Sequence, residues 1–255
     1  MTTNTDNKLK RLLNEHVPET VLLASYLEKI GISHDLQKYY RRNGWLNSIG
    51  TGAFKRPKEP VGWQGALYGL QTQANLQVHV GGLTALSLHG ITQYLRLGSE
   101  TVYLFSSPII KLPAWFKSYD WNSTITHVKT SMLPSSLGLV NFEEKNFSIR
   151  ISSPERAILE CLFLAPDKLD LVECYQIMEG LTNLRPKLMQ ELLEGCTSIK
   201  VKRLFLYLAD KVGHQWLSFI ENSKISLGKG DRSVVKGGVY ISEYRISVPK
   251  DLAEL

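Results

Sequence analysis

The chain has 255 residues, 43% of them hydrophobic and 21% charged. That length suits one large domain or two ordinary ones, and the composition excludes wholesale disorder and allows a core without disulfide staples. The net charge is +6, spread unevenly: residues 1–60 carry 10 Lys/Arg against 6 Asp/Glu, residues 61–150 carry 6 against 4, and residues 151–255 carry 14 against 14. A basic N-terminal part and a neutral C-terminal part suggest two jobs.

The three cysteines, Cys161, Cys174 and Cys196, are odd in number and include no C-x-x-C pair. The reading is of free thiols in a reducing cytoplasm, with no disulfide framework and no zinc site. Met1 to Lys10 is polar and lacks the apolar run of a secretory signal. The apolar run Ala157 to Ala165 is too short to span a bilayer and contains Glu160, so no membrane partner is expected.

In chain order, residues 7–15 predict a short helix with Leu9, Leu12 and Leu13 on one face. Val17-Pro18 ends it, because the residue before proline avoids the helical region. A second helix is expected from about Glu19 to Ile30, carried by Val21, Leu22, Leu23, Tyr26, Leu27 and Ile30 and stopped at Gly31. Ser33 is placed to cap a third helix, about His34 to Asn43, with Asp35 in its first turn. Leu36 and Tyr40 should pack inward, leaving Gln37, Lys38, Arg41 and Arg42 to face outward. Trp45 to Arg56 then reads as two short strands around a glycine-rich turn, with Lys55, Arg56 and Lys58 on or after the second. Helix, helix, three-residue turn, basic helix and basic hairpin make up a winged helix-turn-helix.

Beyond it, helices are expected near 62–73 and 81–89, with a short segment at 78–80 between them. Strands are expected near 101–105, 125–129 and 147–151. Ser153-Pro154 opens a clear helix, with Ser153 as cap and proline in the first turn. Helices then follow at about 154–164, 169–180, 185–194, 201–212 and 215–221, and strands at 240–241 and 244–248. The fold class is therefore α+β. A winged helix-turn-helix over residues 1–60 is followed by a second domain over 61–255, mixed α/β to about 151 and largely helical after that.

The strongest chemical signal is the segment 33–58, which holds six Lys/Arg and one acid, Asp35. Cationic and amide side chains on a groove-entering helix reach base edges and phosphates. The candidate DNA-binding residues are Gln37, Lys38, Arg41 and Arg42 on the third helix and Lys55 and Arg56 on the wing. The alternative is a solvated helix face on a module that binds protein. Gly228-Lys-Gly-Asp-Arg232 lacks P-loop spacing and reads as an exposed turn. Lys229, Arg232 and Lys236 form a possible second basic surface. The six histidines are scattered without metal-ligand spacing, although His79 and His89 could share a pocket. No nucleophile elbow and no carboxylate pair stand out, so neither catalysis nor a cofactor or metal is expected.

Four stretches carry a family resemblance over nearly the whole chain. Val21-Leu-Leu-Ala-Ser-Tyr-Leu-Glu-Lys-Ile-Gly-Ile-Ser-His-Asp-Leu36 resembles the helix-turn-helix of the AbiEi antitoxins of type IV toxin–antitoxin (abortive-infection) systems. Tyr40-Arg-Arg-Asn-Gly-Trp-Leu46 looks like the junction into their wing. Val80-Gly-Gly-Leu-Thr-Ala-Leu-Ser-Leu-His-Gly-Ile91 is similar to the segment after the wing. Ser152-Ser-Pro-Glu-Arg-Ala-Ile-Leu-Glu160 is similar to the start of their helical domain. The resemblance implies a non-enzymatic autorepressor whose winged helix binds inverted repeats in its own promoter, two molecules pairing on the DNA. It also implies a C-terminal domain that counters a nucleotidyltransferase-like toxin, with or without a stable complex. Two rival readings stay open. One is a stand-alone regulator with a ligand-sensing C-terminal domain. The other is a nucleic-acid enzyme that docks through the winged helix, which a buried cluster of acids or histidines around residues 79–160 would favour.

Overall fold

A computed structural model describes residues 2–91 and 100–255, with residues 2–7 as backbone only. Its first unit is α1 (Thr2–Glu15), β1 (Leu22–Leu23), α2 (Ala24–Lys29), α3 (His34–Arg42), β2 (Asn47–Gly50) and β3 (Ala53–Lys55). The strands form an antiparallel sheet in the order β1-β3-β2, with Leu22 opposite Phe54 and Ser48 opposite the same residue on the other side. The element order is the one expected of a winged helix-turn-helix.

The second helix is shorter than its apolar periodicity suggests. Leu22 and Leu23 are extended, because they pair with the wing and because Gln73 brackets them: its amide oxygen accepts from Leu23 N at 2.8 Å and its amide nitrogen donates to Val21 O at 2.7 Å. Such non-local pairing overrides local propensity. Ser33 does occupy the N-cap of α3, but its side chain makes no capping bond.

The middle of the chain follows as α4 (Trp63–Tyr68), prolonged by a π-turn (Gly69–Gln73), then β4 (Val78–Val80), α5 (Gly82–Leu88), β5 (Glu100–Ser106), α6 (Ala114–Ser118), β6 (Ser123–Lys129), β7 (Leu139–Glu143) and β8 (Ser148–Ser152). The five strands make one sheet, ordered β6-β5-β4-β8-β7. β4 runs antiparallel to β5 and parallel to β8, while β5 and β6 are parallel in register from Glu100–Ser123 to Ser106–Lys129. The strand β7 lay outside the predicted set. It pairs antiparallel with β8 and is only half-buried, so its apolar signal is diluted.

The helices α7 (Pro154–Leu164), α8 (Leu171–Gly180), α9 (Pro186–Gly195) and α10 (Ile199–Val212) then pack together. Asp170 caps α8, accepting from Val172 N at 2.8 Å, and Ser198 caps α10 through Val201 N. Ser153 precedes α7 without a side-chain capping bond, and Pro154 fills the first turn. The expected helix at 215–221 is instead two 3₁₀ turns, Gln215–Phe219 and Asn222–Lys224. A small sheet of β9 (Arg232–Ser233), β10 (Val239–Ile241) and β11 (Ile246–Val248) follows, and α11 (Lys250–Glu254) ends the chain. The C-terminal part is thus helical and then sheet-bearing.

Apolar residues divide between two cores. A small one holds Leu12, Leu22, Leu27, Ile32, Tyr40, Leu46 and Phe54. The large one fills the rest of the chain and also takes in Val21, Leu23, Ile49 and Ala53 from the first unit. Alternate residues of the short sheet point to opposite cores, as the two-residue period of a strand requires.

Candidate nucleic-acid interface

The third helix is held by its inward face. Tyr40 is buried in the small core. Gln37 is buried too, at 1% exposure, and its amide nitrogen donates to Ala24 O at 3.1 Å and Ile32 O at 3.0 Å. It therefore ties the turn between α2 and α3 and does not face outward as the sequence suggests. A side chain spent on two backbone carbonyls inside the module has no reach into a groove.

The exposed cations of α3 are Lys38, Arg41 and Arg42. Three and four residues apart, Lys38, Arg41 and Arg42 share one side of the helix. The Arg41 guanidinium lies over the Phe54 ring, 5.6 Å from its centroid, and so connects α3 to the wing. A cation–π contact of this kind is worth roughly 0.5–1 kcal/mol where exposed. Tyr39, 51% exposed, and Trp45, 42% exposed, add two aromatic side chains at this end of the molecule.

On the wing, Lys55 and Arg56 are half-buried and Lys58 is exposed. Arg56 pairs with Glu59 at 3.4 Å, and Glu59 also bonds His16 Nε2 at 2.7 Å and accepts from Glu19 N. The wing exit is therefore fastened back to the end of α1, and only part of its charge is available.

The second basic group has a different architecture. Lys229, Arg232 and Lys236 are all exposed. The loop that bears them wraps the buried Arg203, whose guanidinium donates to the carbonyls of Leu227 (3.0 Å), Gly230 (2.8 Å), Arg245 (2.9 Å) and Gly228 (3.3 Å). The glycine-rich loop is thus a carbonyl cage around a cation rather than an amide cradle for an anion. On its outer side Asp231 pairs with Arg245 at 3.1 Å and accepts from Tyr240.

A buried cluster does lie within residues 79–160. Glu160, 1% exposed, meets His79 Nε2 and Arg156 Nε, each at 2.9 Å, through one oxygen. Its other oxygen accepts from Gly82 N at 2.9 Å and Ser152 Oγ at 2.7 Å. Burial works against its charge, but His79, Arg156 and Ser152 outweigh it and hold its pKa below the ordinary carboxylate value. With four donors on two oxygens, the carboxylate is a tie between β4, α5, β8 and α7, with little basicity to offer a substrate. His89 bonds Ser152 O at 2.9 Å and lies on a different partner from His79. Ser106 Oγ bonds His127 Nε2 at 2.8 Å, and burial, then Lys129 and Lys117, push the His127 pKa down. Among the described residues no three His, Cys, Asp or Glu are grouped to hold a metal, and no helix is long and apolar enough to cross a membrane.

Residues 99–249 match the family model of a transcriptional regulator, the AbiEi antitoxin of type IV toxin–antitoxin systems, and residues 5–97 match the model of the AbiEi antitoxin N-terminal domain. The chain belongs to the AbiEi antitoxin family. The regulator class expected from the basic third helix is thus the class of the family. No curated protein matches the AbiEi chain. Among solved structures it is similar to the RV2827C protein from Mycobacterium tuberculosis, with a TM-score of 0.59 at 14% identity, over 96% of this chain and 92% of that one. At that identity the likeness is one of fold.

Proposed function

We propose that this AbiEi protein is the autorepressor and antitoxin of a type IV operon in the cytoplasm, without enzymatic activity of its own. Residues 1–60 act as a winged helix-turn-helix on inverted repeats of its own promoter, one molecule per half-site. Residues 61–255 counter a nucleotidyltransferase-like toxin. The observation that carries the DNA reading is the exposed Lys38–Arg41–Arg42 face, set beside a wing that adds Lys55 and Lys58. Lys38 and Arg42 are assigned to the DNA backbone. Arg41 is pre-oriented by Phe54, and Arg56 is a weaker contributor because Glu59 already neutralises it. Lys229, Arg232 and Lys236 stay a candidate surface for the toxin-countering half.

The test is binding to the protein's own upstream DNA against a scrambled duplex across a salt series, for wild type and Lys38→Ala/Arg42→Ala. Each phosphate contact contributes a slope of about −0.9 in log K against log salt. The double variant should flatten the slope by roughly 2 and weaken binding by about 10- to 100-fold, with unchanged thermal stability. An unchanged slope, or no preference for the upstream DNA, would move the face to protein recognition.

A further inference from the structure

Asp35 is the one acid of the segment 33–58, and it stands exposed in the first turn of α3. Lys38 and Arg42, three and seven residues on, follow it along one side of the helix, because seven residues make almost two whole turns. Among the described residues none forms an ion pair or hydrogen bond with the Asp35 carboxylate. Its neighbour Gln37 is spent inside the module on Ala24 O and Ile32 O. Ser33, at the N-cap, makes no side-chain bond to the first turn.

On a face that meets DNA, a carboxylate costs affinity unless it finds a donor. Phosphates line both rims of the groove and repel it, so Asp35 suits no position at the DNA backbone. Its charge also keeps a phosphate from the free N–H groups of the first turn, where an anion would otherwise settle. The donors that a major groove offers are the exocyclic amines, N4 of cytosine and N6 of adenine. Adenine carries the acceptor N7 on the same edge as N6, which repels a carboxylate, whereas cytosine has no acceptor of its own on that edge. A recognition helix turns its N-terminal residues to the base edges. Arg42 lies about 10 Å further along the axis, close to the groove width of roughly 12 Å, so an acid over the bases and a cation at the rim fit one docking. The positive end of the helix dipole also favours an acid at this point, but it is indifferent to the base beneath. The two roles therefore separate when base preference is measured.

We propose that Asp35 is a specificity-determining residue of α3, its carboxylate accepting from N4 of a cytosine in each half-site. The proposal rests on the DNA-binding reading of α3. The experiment selects duplexes from a randomised pool with the full chain, as wild type, Asp35→Asn and Asp35→Ala, and then titrates the selected duplexes in a salt series with melting temperatures alongside. Wild type should select cytosine at one position of the half-site and prefer it over the other bases by roughly tenfold. Asp35→Asn should select adenine there, since an amide bonds N6 and N7 together. Asp35→Ala should lose the preference at that position alone and bind scrambled duplex more tightly, with an unchanged salt slope. A wild type that selects no sequence would overturn both the DNA reading and the role of Asp35. A wild type that selects a site, with both variants selecting the same base at every position, would overturn the role of Asp35 alone; a lowered melting temperature in those variants would then leave it a helix-dipole residue.

Discussion

Replacing Gln37 by Glu separates a brace from a base reader. In the wild type, Nε2 is wedged between Ala24 O and Ile32 O, and Oε1 has no partner among the described residues. Glutamate has the same shape, but it places carboxylate oxygens against two carbonyl oxygens with no donor between them. Two hydrogen bonds of roughly 1 kcal/mol each disappear. A stranded buried charge adds to that, so the total loss should be about 3–5 kcal/mol near pH 7.5, the range for breaking a buried charged contact. Protonation restores one donor, so the folded-state pKa of the new carboxyl must rise above its unfolded value of about 4.3. The penalty is then small below that value and grows as pH rises to the folded pKa. Urea unfolding at pH 5 and pH 7.5 measures both the loss and its pH dependence, and DNA binding corrected for the folded fraction measures the rest. A Gln37→Glu protein of wild-type stability with an altered base preference would refute the argument and return Gln37 to the groove.

Glu155 offers a second titration. Although burial raises its pKa, Arg185 donates to it from Nε at 2.9 Å, from Nη2 at 3.0 Å and from its backbone N–H, and lowers it to about 2. A depressed carboxylate stabilises fully above its unfolded pKa, so this contribution should vanish as pH falls from about 4.5 towards 2. The full shift would correspond to about 3 kcal/mol. Arg185 is 60% exposed, so solvent screening leaves about half of that. Acid unfolding of Arg185→Met should show the matching flattening, and an identical acid midpoint would count against it. Burial also pushes the Cys161, Cys174 and Cys196 thiols up. Since the thiolate is the nucleophile, all three should resist alkylation at pH 8 in the folded protein and react on unfolding. Labelling of any of them in the native state would contradict their burial.

Much of the helical framework was legible in the residues. α7 runs from Pro154 to Leu164 as read, since Ser-Pro punctuation and an apolar run agree there. The basic character of α3 was legible too. Gln37 was not: its polarity suggested water, while its place three residues before Tyr40 put it on the inward face. Val21-Leu22-Leu23 fits a helix as well as a strand, and only pairing with residues thirty positions away decides. Glu160 carried a usable signal, a lone acid in an otherwise apolar helical run, yet its partners His79 and Gly82 are some eighty residues distant. No local spacing marks such a convergence.

The short sheet has a practical consequence for anyone recombining these molecules. Leu22 and Phe54 belong to one core, Leu23 and Ala53 to the other, and Gln73 stitches the strand's free edge from beyond the hairpin. The three strands are a party wall with a tenant on each side. A chimaera cut after the wing would strip the plaster from one face and remove the amide that closes β1. An N-terminal unit transplanted onto another body should therefore carry the chain through Gln73, together with a replacement apolar surface for Val21, Leu23, Ile49 and Ala53.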